Sequence, residues 1–286
     1  FVKGYGLRTQ GSAGPLINSD GEQEPVSATR RTLGVGDGLL WSPFSWFSVR
    51  ASYEWATRLP EADELFGNGQ LIQPNLELRP ERSHNANLAT LWSIPLGDDA
   101  SLDAEVQGFV RSTEDLIFLV NYGLTSNYEN IAAVDTRGLE VGMNLRPATW
   151  ASVGGNLTWL DARNRSLEGQ FARFDGERIP NMPYLTGNVH TTLTMRPGSH
   201  LVQGYTYGRY VHEFFRFWEG EGDRGQKLTV PSQWNWTVGT SWSAPSRQVS
   251  VSLEVQNILD ARNFDSFGVE LPGRSVHAKL TVSPEL

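Results

Sequence analysis

Apolar and polar positions alternate along most of this chain, in twelve stretches joined by links that are short and long in turn. Between Gln248 and Gln256, Val249, Val251, Leu253 and Val255 fall on one face, and Ser250, Ser252, Glu254 and Gln256 on the other. Trp234, Trp236, Val238, Thr240 and Trp242 alternate in the same way with Gln233, Asn235, Thr237, Gly239 and Ser241. So do Leu139, Val141, Met143 and Leu145 with Glu140, Gly142, Asn144 and Arg146. A period of two belongs to an extended strand, not a helix. The pattern predicts strands at about residues 1–9, 28–41, 46–57, 81–93, 101–120, 127–146, 150–161, 184–196, 200–212, 231–243, 247–258 and 273–283.

A soluble half-buried sheet gives the same alternation in any one strand, so the connections carry the inference. Those after strands two, four, six, eight and ten are short: Ser42-Pro43, Pro95 to Asp99, Arg146-Pro147-Ala148, Arg196 to Ser199 and Ala244-Pro245-Ser246. Proline presets φ there, and Gly or Asp permits the reversal. The links near residues 10–27, 58–80, 162–183, 213–230 and 259–272 are long and hold most of the glycine and charge. Near 121–126 two long strands run on into a projecting hairpin. Short turns at one end and long loops at the other are the plan of an outer-membrane β-barrel, with both termini here on the turn side. The fold class expected is all-β and antiparallel, in one domain.

Composition refines this picture. A chain of 286 residues, 39% hydrophobic, has material for one large all-β unit. No apolar run reaches the ~18 residues of a membrane helix, but a membrane strand needs only about 10. The 10 Trp, 8 Tyr and 13 Phe suit a boundary where one end of a ring is wet and the other dry. Without cysteine there is no disulfide framework and no thiolate metal site. The net charge of −8 lacks the basic footprint that nucleic acid requires. The chain opens at Phe1 with no charged-then-apolar leader, and we read it as a portion of a longer protein.

Several short motifs then occur in a fixed order. Arg58-x-Pro60 leads to Glu64-Leu65-Phe66, and Asn75 precedes Pro80-Glu81 at the start of a strand. Gly138-Leu139-Glu140 opens a later strand segment, and Ile179-Pro180-Asn181-Met182-Pro183 leaves a loop. Asn257-Ile258-Leu259-Asp260 and Pro272-Gly273-Arg274 flank the last link. In this order, over about residues 28–283, the set resembles the TonB-dependent receptors of Gram-negative outer membranes. The resemblance implies a barrel of 22 strands around a plug, of which these twelve form the C-terminal part. It also implies uptake of a scarce nutrient such as a siderophore-like metal chelate, cobalamin or an oligosaccharide, driven through TonB. The plug and the TonB-contacting box are expected outside this sequence, and the chain ends in Pro284-Glu285-Leu286 where the family usually ends in an aromatic. Read from the residues alone, Pro60, Pro80 and Pro183 sit where a missing N–H harms the ladder least, and Glu81 and Arg274 are structural.

Candidate chemistry is sparse. Tyr210, His212, Phe214, Phe215, Arg216 and Trp218 gather aromatic faces and charge in one long loop, a composition that can hold a small ligand. The competing reading is that these rings anchor the barrel or cover its mouth. Gly220 to Gly225 matches the dinucleotide fingerprint in letters but lacks the strand-to-helix setting. Glu219, Glu221 and Asp223 lack a full calcium cage and read as a solvated acidic loop. The five histidines do not pair at zinc spacing, and no Gly-x-Ser-x-Gly elbow is present. No catalytic residue, metal or cofactor is therefore assigned. The partners expected are outer-membrane lipid and a small nutrient, with Glu140, Asn144, Arg146, Asn188, His190, Thr192, Glu254 and Gln256 lining a lumen. The rival readings are a self-closed passive pore of twelve strands, an outer-membrane hydrolase and a soluble Trp-rich binding sandwich.

Overall fold

The computed structural model describes residues 1–12, 25–121, 125–218, 227–266 and 268–283. Twelve long strands dominate it. They are β1 (Val2–Ser12), β2 (Pro25–Phe44), β3 (Phe47–Arg58), β4 (Glu81–Pro95), β5 (Ser101–Asn121) and β6 (Ser126–Ala148). Then come β7 (Ala151–Asn164), β8 (Leu185–Met195), β9 (Leu201–Val211), β10 (Gln233–Ser243), β11 (Val249–Gln256) and β12 (Ser275–Val282). Each pairs antiparallel with its sequence neighbours, so the spatial order is the chain order. Among the described residues, β1 pairs only with β2 and β12 only with β11, leaving an edge at each end.

All twelve strands lie where the alternation predicts them. Two turns differ from expectation: Pro43 and Pro147 fall within register shifts, between Trp41 and Phe44 and between Leu145 and Ala148, and the reversals come just after. A residue without an N–H fits a bulge better than a regular ladder, so proline marks the end of regular pairing and not the turn itself. The hairpin of β5 and β6 stays paired to Asn121 and Ser126, the projection expected near that link. The link before β2 is shorter than expected, because Ser12 still pairs with Pro25.

The register sorts the side chains onto two faces. Leu139, Val141, Met143, Leu157, Trp159, Leu193, Val238, Trp242, Val251 and Leu253 share one face and are exposed. An apolar surface of this extent requires lipid or a partner. Aromatic rows bound it. Trp41, Trp150 and Trp242 stand towards the short turns, and Tyr53, Trp159 and Trp234 towards the long links. On β10 the apolar face runs from Trp234 to Trp242, close to the roughly 9–11 residues of a tilted membrane strand. The other face carries Glu105, Gln107, Glu140, Asn144, Asn156, Asn188, His190, Tyr207, Thr237 and Glu254, matched across strands.

Cross-strand glycine–aromatic pairs keep the sheet closely packed. Tyr205 lies over Gly239, Phe109 over Gly138 and Trp236 over Gly208, each ring covering the residue directly opposite, where a Cβ would strike it. The buried core lies elsewhere, among the long links. Val120, Ile131, Val134, Ala162, Phe171, Phe174, Ile179 and Trp218 form one cluster, and Leu65, Leu78 and Ile117 a smaller one. A wall with an apolar outer face has no second layer to pack against, so the hydrophobic interior forms where loop residues such as Phe171, Phe174, Ile179 and Trp218 fold onto the ends of β5, β6 and β7.

Candidate ligand-capture site among the long links

The first long link is held by an arginine clamp. Arg58, the last residue of β3, donates from Nη1 to both Glu64 oxygens at 3.0 and 2.9 Å and from Nη2 to Glu81 Oε1 at 2.8 Å. Glu64 lies in α1 (Ala62–Phe66), where it accepts the Glu61 N–H at 2.8 Å to complete a capping box. Leu65 beside it packs with Leu78 and Ile117, and Pro60 is buried. Asn75 donates to the Tyr128 carbonyl at 2.8 Å and accepts the Glu77 N–H at 3.1 Å, pinning the link to β6. Pro80 precedes Glu81 at the entry to β4.

The last link is closed by side chain–backbone bonds. Asn257, with φ of 48°, accepts the Ala261 N–H at 3.0 Å and donates to the Ala261 carbonyl at 2.8 Å. Asp260 Oδ1 accepts the Arg274 N–H at 2.9 Å, and a Cβ on Gly273 would lie 2.9 Å from that oxygen, so this residue follows Pro272 as glycine. Gln233 bonds both the N–H and the carbonyl of Phe264, at 2.6 and 3.0 Å, and draws the link over β10. Arg262 and Glu270 pair at 2.7 Å, and the Arg262 hydrogen bond holds the Glu270 carboxyl below the usual range.

The residues singled out in the Tyr210–Trp218 loop separate in space. Tyr210 bonds His212 Nδ1 at 2.6 Å and packs on Trp234, while His212 meets Tyr184 edge-on and lies 3.2 Å from Ser232 Oγ. Phe214 and Phe215 pair with Thr229 and Val230 in a two-stranded ribbon, and Arg216 lies against Gly268. Trp218 is 0% exposed, stacked on Phe174 at 4.5 Å, and donates to the Arg178 carbonyl at 2.9 Å. Its ring is wholly taken up in packing. Residues 219–226, with the Gly220–Gly225 pattern and its acidic neighbours, lie outside the described residues. Pro180 is buried, Gly138 sits beneath Phe109, and Glu140 faces the polar side.

Of the residues singled out in that loop, Phe214 alone lines the depression that forms on the polar face below these links, beside Val211. This space of about 590 Å³ is bounded by Arg209, Gln233, Asn235, Gln256, Phe264 and Asp265, with Pro183 at its rim. Asn263 also lines it. Its side chain is 3% exposed, yet its amide oxygen and nitrogen have no hydrogen-bond partner among the described residues. A buried amide left unpaired costs about 1–3 kcal/mol, so Asn263 is the polar group here with the most to gain from a partner. Amides, one guanidinium and an aromatic wall can fix a small polar ligand by directed hydrogen bonds. No sequence signal marked Asn263 or Arg209, since the first is an ordinary loop asparagine and the second one polar position among many. Among the described residues no group of His, Asp and Glu is arranged to hold a metal ion.

The chain is similar in fold to a solved transporter and to solved receptors. It matches the copper transporter OprC at 18% identity and a TM-score of 0.66, covering 91% of this chain and 40% of that one. A mutant of the ferric enterobactin receptor PfeA from Pseudomonas aeruginosa matches at 16% and 0.67, covering 96% and 47%. The siderophore receptor PiuA from Acinetobacter baumannii matches at 19% and 0.66, covering 93% and 38%. The chain thus spans less than half the length of each. The family model for the TonB dependent receptor-like β-barrel matches residues 31–258, and the chain belongs to that family.

Proposed function

We infer that this chain is the C-terminal wall and capture surface of an outer-membrane receptor that takes up a scarce nutrient with energy supplied through TonB. The observation that carries this reading is the two-faced sheet whose edges are unpaired among the described residues, and whose polar face ends at the long links in a space lined by Asn263, whose amide has no partner among them. The apolar face meets lipid, and the aromatic rows mark its two water boundaries. The missing strands and a plug complete the barrel. Metal chelates are the first ligand class to test, because OprC is a copper transporter, PfeA a ferric enterobactin receptor and PiuA a siderophore receptor; cobalamin and oligosaccharides come next.

The test is uptake of radiolabelled ferric chelates, cobalamin and oligosaccharides by cells with and without the full-length protein, before and after inner-membrane energy is dissipated. Energy-dependent uptake of one class supports the reading. Equal uptake of many small solutes, insensitive to energy, supports the self-closed pore instead.

A further inference from the structure

Near the aromatic row on the long-link side, the apolar face changes abruptly to arginine. On β6, Leu139 is followed on the same face by Arg137 and Asp135; on β7, Trp159 is followed by Asp161 and Arg163. The register pairs Leu139 with Trp159, Arg137 with Asp161 and Asp135 with Arg163, so these charges share the face of the exposed apolar side chains and not that of the polar wall. Asp161 is 2% exposed and accepts from three guanidiniums: Arg163 Nε at 2.9 Å, Arg178 Nε at 2.9 Å and Arg137 Nη2 at 3.1 Å. Arg165 reaches Asp135 only at 3.6 Å. Four arginines against two aspartates leave a net charge of +2 on this patch. Arg137 remains 66% exposed. The patch lines a depression of about 380 Å³, with Tyr53 and His84 on its far side.

We propose that this depression is a binding site for the phosphate-bearing headgroup of a glycolipid in the outer leaflet. It rests on the reading of the chain as an outer-membrane barrel. The tyrosine and tryptophan row marks where hydrocarbon ends, and the next residues along each strand enter the headgroup layer. Asp161 fixes three guanidiniums by one carboxylate, yet leaves surplus positive charge and free N–H groups facing outward. Guanidinium forks bind phosphate bidentately, whereas the zwitterionic headgroups of ordinary phospholipids offer no surplus negative charge. Val110 lies beside Arg137, and the apolar residues below, Leu139 and Trp159, lie along the path of the acyl chains.

Full-length protein purified from outer membranes is mixed in detergent with bis-phosphorylated lipid A, with its dephosphorylated form or with inorganic phosphate, and bound lipid is read by native mass spectrometry. The variant R137Q/R165Q leaves Asp161 bonded to Arg163 and Arg178, and R137K/R165K retains charge. The expected result is that the wild type prefers phosphorylated lipid A by about tenfold or more, that the glutamine variant loses this preference, and that the lysine variant keeps part of it. Equal binding of the dephosphorylated lipid, or undiminished preference in the glutamine variant, overturns the proposal. Displacement of lipid A by millimolar inorganic phosphate also overturns it, since the site then serves a free anion. Should the variants not fold, the comparison of the three ligands on the wild type still decides. A protein absent from the outer membrane would overturn the barrel reading, whereas one inserted there but indifferent to phosphate overturns this proposal alone.

Discussion

Glu81, the first residue of β4, accepts a hydrogen bond from the backbone N–H of Ile117 at 2.7 Å through the same oxygen that receives Arg58. One carboxylate thereby ties the end of β3, the entry to β4 and the projecting end of β5. Replacement by glutamine, E81Q, removes the charge that holds Arg58 but keeps an acceptor. It is expected to loosen the link around α1 by about 1–2 kcal/mol, at the low end because Arg58 is partly solvated. Hydrogen exchange of residues 61–80 in the full-length protein checks this: exchange should speed there and stay unchanged in β10 and β11.

Trp218 is the central ring of the largest buried cluster. Trp218→Ala should cost about 3–5 kcal/mol, as for other buried aromatic truncations, and should act at the long-link ends of β5, β6 and β7, where Val120, Ile131, Val134 and Ala162 share this core, and not along the rest of the ladder. Limited proteolysis within residues 165–183 is expected to rise sharply while the heat-modifiable gel mobility of the barrel persists.

The Tyr205–Gly239 pair leaves no room for a side chain on the glycine. Gly239→Val forces the ring from its place and should destabilise the β9–β10 pairing by about 1–3 kcal/mol. The double variant G239V/Y205A should recover part of this loss in a urea titration.

Asn263 gives an asymmetric prediction. Its amide is buried without a partner among the described residues, so Asn263→Ala should leave stability unchanged or slightly higher. Nutrient capture should fall by about tenfold, as expected for loss of one or two ligand hydrogen bonds in a buried site. Equilibrium binding beside thermal melting separates the two effects.

How much of this was legible in the sequence depends on the length of the pattern involved. Strand β10 and its neighbours could be read because alternation repeats over many residues and a one-residue slip would invert every face. Pro43 and Pro147 misplaced two turns, since proline excludes regular pairing equally well in a bulge and in a reversal. The Arg58–Glu64–Glu81 clamp appeared only as ordered motifs, because the contact of Glu81 with Ile117 spans 36 positions and no local rule foresees it. Asp161 and Arg163 lie two apart on β7 and Arg165 two further on, just past its end, and that spacing was a usable sign of a charged continuation of the apolar face. Arg137 and Arg178 join them only through the register and a loop bridge. The aromatic loop could be seen as a group, but composition does not say which ring points inward: Trp218 is in the core while Phe214 borders the mouth.

Whether β1 and β12 are neighbours tests the account most directly, because a receptor wall leaves them apart and a self-closed pore joins them. The chain contains no cysteine, so paired cysteines placed in it meet none of its own. In full-length protein within outer membranes, Gly4→Cys with Leu33→Cys occupies positions paired across β1 and β2 and should cross-link readily. Gly4→Cys combined in turn with cysteine at Val276, Ala278 or Leu280 should give no cross-link, since other strands intervene. Cross-linking of any of these seam pairs to the extent of the control would contradict the open wall and make the chain a closed pore.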